Sequence, residues 1–204
     1  MSNARQEILA KLKKTKNPIP NKPDFTEPVF HEVKEPLEIA FKESLEQVNG
    51  EVHIFHSEQQ LFENLGRFLK EYSKEDMKCR EPEILKLLQK YGIRANESEQ
   101  LGDKLEVGIT GCEFLIAHTG SAMVSSAQKG GRQLFVYPEI HVVVAKKNQL
   151  VAYLEDAYLQ IIAKYGKNLP SQITLITGPS RTADIEKTLT LGAHGPKELH
   201  VFLH

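Results

Sequence analysis

Three short clusters in this chain carry residue types that can bind or react. The first is His118-Thr119-Gly120-Ser121, set between two apolar runs. Hydroxyls and backbone N–H groups in such a bend can hold an anion. A histidine beside a serine could also act as its base, but no acidic partner is identifiable to complete the arrangement. The second is Gly178-Pro179-Ser180-Arg181-Thr182, directly after the β-branched run at residues 173–177. In open α/β sheets, ligands sit beyond the carboxyl ends of strands. Ser180 or Thr182 can cap a helix there, and the orphan N–H groups of a helix start attract anions. Arg181 adds a planar fork suited to carboxylate or phosphate. Asp184 and Glu186 would already complement that helix start and repel an anion, so a plain capped helix explains the same residues.

The third cluster is Tyr137-Pro-Glu-Ile-His141. If it is extended, Glu139 and His141 share a face. A carboxylate and an imidazole so placed can do acid–base work, or form a surface ion pair worth little. His118 and His194 are the remaining loop contacts. The reading is an anion site of Thr119, Gly120, Ser121, Gly178, Ser180, Arg181 and Thr182, with Glu139 and His141 as the catalytic candidates.

Other chemistries find less support. There is no G-x-G-x-x-G, no G-x-x-x-x-G-K-[ST] and no G-x-S-x-G, so neither the nucleotide loops nor the hydrolase elbow is indicated. His53 and His56 have odd separation on a strand and so point to opposite faces, which makes a poor metal pair. The two cysteines, Cys79 and Cys112, form no Cys-x-x-Cys. An iron–sulfur cluster or structural zinc within the chain is therefore not expected, nor is any cofactor. Two dispersed thiols fit a reducing cytoplasm.

The elements that must position these clusters follow from periodicity. The 204 residues are 40% hydrophobic and 26% charged, with net charge −1. Such a chain can bury a core without staples, and its charge draws it to neither nucleic acid nor anionic lipid. No apolar run reaches a membrane span, and residues 1–14 have no uninterrupted apolar region of the secretory kind. Residues 3–14 predict a short helix with Ile8, Leu9 and Leu12 on one face. Prolines 18, 20, 23, 28 and 36 then predict an extended arm. It either wraps a neighbouring subunit in a homo-oligomer or lies on its own surface. A domain over 37–204 follows the arm over 1–36.

Within that domain, helices are expected over 37–49, 57–72, 83–91 and 148–165. Strands are expected near 52–55, 77–79, 107–110, 114–117, 122–126, 134–137, 140–145, 173–177 and 199–203. Residues 128–132 read as a hairpin tip. Ile185 and Leu189 predict a helix after residue 180, ended by Gly192 and Gly195. The alternation of β and α, with hairpins in the middle, predicts an open mixed α/β sheet.

Two stretches, TGSAMVSSAQKGGRQLFVYPEIHVVVA and ITGPSRTADIEKTLTLGAHGPKELHVFL, together resemble the LUD-domain family of lactate-utilization proteins. The resemblance covers roughly residues 37–204, and GPSRTADIE followed by G-x-HGP is its specific part. It implies a Rossmann-like open mixed sheet of the NagB/RpiA/CoA-transferase kind. It also implies a place in a cytoplasmic system oxidising L-lactate to pyruvate, beside sister subunits that carry the iron–sulfur clusters. This chain's share would be to bind those partners and a small carboxylate or phosphate anion. The alternative is a stand-alone enzyme on a phosphorylated or CoA-linked small acid. Position 118 departs from the pattern: His118 stands where an acidic residue is expected before Thr-Gly. The carboxylate nucleophile of the CoA-transferases therefore does not carry over to it.

Overall fold

The computed structural model describes residues 4–14, 32–34, 36–98, 100, 105–183, 189–192 and 194–204. The chain folds as two compact units, Met1–Glu32 and Val33–His204. The first unit contributes helix α1 (Ala4–Lys14), none of whose residues is buried. The Asn3 cap and most of the Pro-rich arm lie outside the described residues.

The second unit opens with α2 (Leu37–Glu46), then β1 (Glu51–Ile54), α3 (Glu58–Phe68), β2 (Met77–Cys79) and α4 (Pro82–Lys90). Ser57 caps α3 by accepting from the Gln60 N–H at 3.2 Å, and Pro82 starts α4, where its missing N–H costs nothing. Strands β3 (Val107–Thr110), β4 (Phe114–Ile116), β5 (Ser121–Ser125), β6 (Ile140–Ala145) and β7 (Leu150–Val151) follow, then α5 (Leu154–Tyr165) and β8 (Ile173–Ile176). The chain closes with β9 (Arg181–Ala183), β10 (Leu189–Leu191) and β11 (Glu198–Leu203).

Five of these strands make one parallel sheet in the order β1-β11-β6-β3-β2. Its central strands carry apolar residues at nearly every position because both faces are covered. On one face α3 and α4 pack Leu61, Phe62, Leu65, Ile84 and Leu88 against Val107, Ile109, Val142 and Phe202. On the other face α2 and a second sheet pack Phe41, Leu45, Leu115 and Val124 against Val143, Val201 and Leu203. The second sheet runs β7-β4-β5-β8 and mixes directions. Its far face holds α5 through Ala157 and Ile161, against Phe114, Ile116 and Met123. This is the open mixed α/β architecture expected from the alternation.

Several elements differ from expectation. Residues 126–139 form turns instead of a hairpin and a strand. Leu134 and Phe135 are buried there without ladder partners, so a buried apolar pair imitated a strand. The helix expected from residue 148 starts at Leu154, because Leu150 and Val151 are taken up as strand β7 beside β4. The helix expected after residue 180 is replaced at its two ends by the antiparallel pair β9 and β10. Residues 184–188, including Ile185, lie outside the described residues.

Candidate functional site

The second sheet brings two of the sequence clusters side by side. Strands β5 and β8 pair antiparallel, with Ala122 opposite Ile176. Ser121 therefore meets Thr177 across the end of the ladder, and their hydroxyl oxygens lie 2.7 Å apart. Thr119 Oγ1 lies 2.7 Å from Ser121 Oγ on the other side. Each of these contacts uses one proton, so the three hydroxyls form a directional chain whose end has donor or acceptor capacity left over.

Both loops rest on the end of α2. Gly120 has φ +61°, and a Cβ there would lie 2.3 Å from the Leu45 backbone nitrogen. A Cβ at Gly178 would lie 2.6 Å from the Val48 carbonyl oxygen. The Arg181 guanidinium donates to that same carbonyl. Carbonyls at the end of a helix carry partial negative charge and attract such a cation. Arg181 is exposed, and one contact leaves the rest of its fork available.

The other members of the cluster serve the backbone. The Ser180 N–H donates to the Pro196 carbonyl at 2.8 Å, and the Gly192 N–H donates to the Ser180 carbonyl at 3.0 Å. Thr182 sits opposite Thr190 in the β9–β10 pair. The orphan donors of a helix start are thus not what this loop offers at residues 181–183. His118 donates its N–H to the Ala152 carbonyl at 3.0 Å, and its ring lies against Tyr153 with centroids 5.6 Å apart. His194 is exposed.

Glu139 and His141 are not brought together. Glu139 is exposed and takes an ion pair with Lys197 at 3.1 Å. His141 is fully buried within β6, and its Nε2 lies 2.8 Å from Thr110 Oγ1. The Thr110 hydroxyl also lies 3.0 Å from the Gly111 carbonyl. His141 Nδ1 is buried and has no hydrogen-bond partner among the described residues. Burial pushes the His141 pKa down to about 4. An imidazole so enclosed stays neutral and is a packing and hydrogen-bonding group.

One acidic group near the strand ends was not visible as a site in the sequence. Glu81 follows β2 and accepts from the Gly111 N–H at 2.8 Å, just beyond the carboxyl end of β3. Burial raises its pKa, against the opposing hydrogen bonds from Gly111 and Gln128. In the sequence Glu81 is one acid within a charged connection, and nothing local distinguishes it. The spatial signal is its place beyond two parallel strands, where such sheets keep their ligands.

The parallel sheet covered on both faces, with a loop-rich second sheet against one of them, defines an α/β protein of open-sheet type. The LUD domain profile matches residues 39–204, and the chain belongs to that family. It is similar to lactate utilization protein C of Halalkalibacterium halodurans, 35% identical over 105 residues, which are 49% of this chain and 46% of the relative. The counterpart in Bacillus subtilis is 34% identical over 106 residues, 50% of this chain and 44% of the relative. Both matches span about half the length of the relative. Lactate utilization protein C 1 of Bacillus mycoides is 28% identical over 181 residues, 78% of this chain and 77% of the relative. Among solved structures, a DUF162 family protein from Deinococcus radiodurans superposes with a TM-score of 0.61 at 18% identity, covering 82% of this chain and 95% of that one. At that identity the likeness concerns the fold alone. Among the described residues, no helix is long and apolar enough to cross a membrane.

Proposed function

We propose that the chain is a subunit of an L-lactate utilization system in the cytoplasm, working beside iron–sulfur sister subunits and holding a small carboxylate. The names of its relatives support the system. The observation that carries the carboxylate is the β5–β8 register, which sets Thr119, Gly120 and Ser121 next to Thr177 and Gly178. Hydroxyls supply directional donors there, and Arg181 supplies a charge on the same helix end. A guanidinium reads a carboxylate with two parallel N–H bonds.

A ligand that binds only the native state raises the melting temperature by mass action. Thermal shifts of the purified chain against lactate, pyruvate, phosphate and coenzyme A therefore test the reading. Lactate or pyruvate should raise the melting temperature, and Arg181→Ala should remove the rise. A flat response across the panel would count against the carboxylate. Affinity capture from a lactate-grown source should recover iron–sulfur proteins. Their absence would sink the partner assignment.

A further inference from the structure

The sequence pairs His53 with His56 and so offers no metal site. The folded chain pairs His53 with His200 instead, 147 residues away. Strands β1 and β11 run parallel with Glu51 opposite His200. Glu51, His53 and His200 thus gather at one edge of the sheet, on the face that carries α3. Their atoms make a nearly equilateral triangle. His53 Nε2 lies 3.5 Å from His200 Nδ1, Glu51 Oε2 lies 3.7 Å from His53 Nε2, and the same oxygen lies 3.4 Å from His200 Nδ1.

We propose that Glu51 Oε2, His53 Nε2 and His200 Nδ1 form a binding site for a divalent transition-metal ion of the zinc class, with a fourth position left open. Three observations carry this. The first is orientation. His200 Nε2 lies 3.0 Å from Glu198 Oε2 and is the donor there, because a carboxylate only accepts. Nδ1 is thus the ring nitrogen turned towards Glu51 Oε2 and His53 Nε2, so three atoms of metal-ligand type converge on one point.

The second observation is length. The three separations are long for hydrogen bonds, where nitrogen and oxygen atoms meet at about 2.9–3.0 Å. They match the edges of a tetrahedron with metal–ligand bonds of about 2.0–2.1 Å, which come to about 3.3–3.4 Å. The third is support. A metal-bound histidine ordinarily donates its other ring nitrogen to a carboxylate, which fixes its tautomer and orientation. Glu198 does this for His200, and Phe68 packs on the His200 ring with centroids 4.7 Å apart.

Two imidazoles and one carboxylate are ligands that zinc accepts, and three protein ligands leave a place for water or an anion. One of the three ligands, His53, also lines a cavity of about 390 Å³ together with Lys42, Phe55, Asn64, Phe68 and Phe202. This site lies at the β1 edge of the sheet, whereas Glu81 follows β2 at the other edge, and it does not rest on the lactate reading.

The test is calorimetric titration of the chelator-treated full chain with zinc chloride, and with cobalt chloride read by its visible absorption bands. One tight equivalent should bind, with cobalt showing the strong bands of a tetrahedral site. Glu51→Gln should weaken binding at least tenfold, and its exposed position leaves the core untouched. His53→Gln should do the same. Glu198→Gln should weaken binding about 10–100-fold by freeing the His200 ring. His56→Gln and His204→Gln should leave it unchanged. No tight equivalent, or equal affinity in the wild type, Glu51→Gln and His53→Gln, would overturn the proposal and assign any binding to scattered surface histidines.

Discussion

Ser121 Oγ lies 2.7 Å from Thr177 Oγ1, and this contact joins loops separated by 56 residues. Ser121 is almost fully buried and also meets Thr119. Ser121→Ala removes the middle of the hydroxyl chain, and its neighbours Thr119 and Thr177 are exposed and turn to water instead. The loss is then the net worth of the hydrogen bonds, about 0.5–1.5 kcal/mol each. The expected outcome is a loss in that range, measured by urea unfolding. Thr177→Val should cost less alone. The double variant should cost less than the sum, because both changes remove the same bond. Strict additivity would mean that the bond contributes nothing.

Gly120 is held at φ +61° with α2 against it. Gly120→Ala must therefore displace the Leu45 backbone or abandon the left-handed conformation. We expect a loss larger than the about 1–2 kcal/mol that left-handed backbone alone costs a non-glycine residue. Gly131 is the control, with φ +65° and nothing nearer to its Cβ than 4.0 Å. Gly131→Ala should show only the conformational cost. Equal melting temperatures for the two variants would deny the close packing of this loop on α2.

The difference between these elements and the misread ones is physical. The parallel strands were legible because burial on both faces leaves unbroken apolar runs such as Ile140–Ala145. Helices α3 and α4 were legible from stripes that include Leu61, Leu65, Ile84 and Leu88, all of them buried. Leu150 and Val151 fit a helical stripe as well as a strand, and only the presence of β4 decides. Thr182 and Thr190 suit either a capped helix or the antiparallel pair they form. The Thr-Gly-Ser and Gly-Pro-Ser-Arg clusters were visible by type, but their adjacency depends on a pairing of strands far apart in sequence. Glu51, His53 and His200 were invisible for the same reason. Glu139 and His141 show the reverse error: near in sequence, they are separated by burial.

His141 makes stability depend on pH. Its native pKa is pushed to about 4 by burial, whereas an unfolded histidine titrates near about 6.5. Between those values the unfolded chain binds a proton that the native chain refuses. Stability is therefore full above about pH 6.5 and falls as the pH drops towards about 4, by about 3 kcal/mol from this residue. His53 and His204 are also shifted downward, chiefly by burial, and add to the slope. The difference between wild type and His141→Leu isolates position 141. Urea midpoints at about pH 7 and about pH 5 should converge more in His141→Leu than in the wild type. An unchanged slope would place the imidazole in contact with water.

Glu113 is the buried acid of the second sheet. Its carboxylate takes the Ser125 hydroxyl at 2.6 Å, the Tyr165 hydroxyl at 2.7 Å and the Lys164 ammonium at 2.7 Å. Burial raises its pKa, but these donors outweigh it and the net shift is downward. Its contribution is therefore present above the ordinary carboxylate range and is lost as the pH falls through the lowered native value. Glu113→Ala leaves two hydroxyls without an acceptor and should cost about 2–4 kcal/mol. Lys164→Ala should cost less than about 1 kcal/mol, because that side chain is 56% exposed and its charge is screened. A larger loss at Lys164 than at Glu113 would reverse this account.

The two cysteines lie in separate parts of the core and should both be inert. Cys79 is fully buried in β2, and burial pushes its thiol up to about 12. Cys112 is buried between β3 and β4, where burial likewise raises its thiol. The thiolate is the reactive form, so a shift of this size lowers the reactive fraction at neutral pH by about a thousandfold or more relative to a free thiol. Ellman's reagent should therefore label the native chain hardly at all, and label both sulfurs once urea unfolds it. The rate of native labelling should then follow the global unfolding equilibrium, and Glu113→Ala should accelerate it in proportion to its loss of stability. Rapid labelling of one thiol in the folded wild type would mean that β2 or the β3–β4 turn opens locally, and that a redox role for that cysteine is physically accessible.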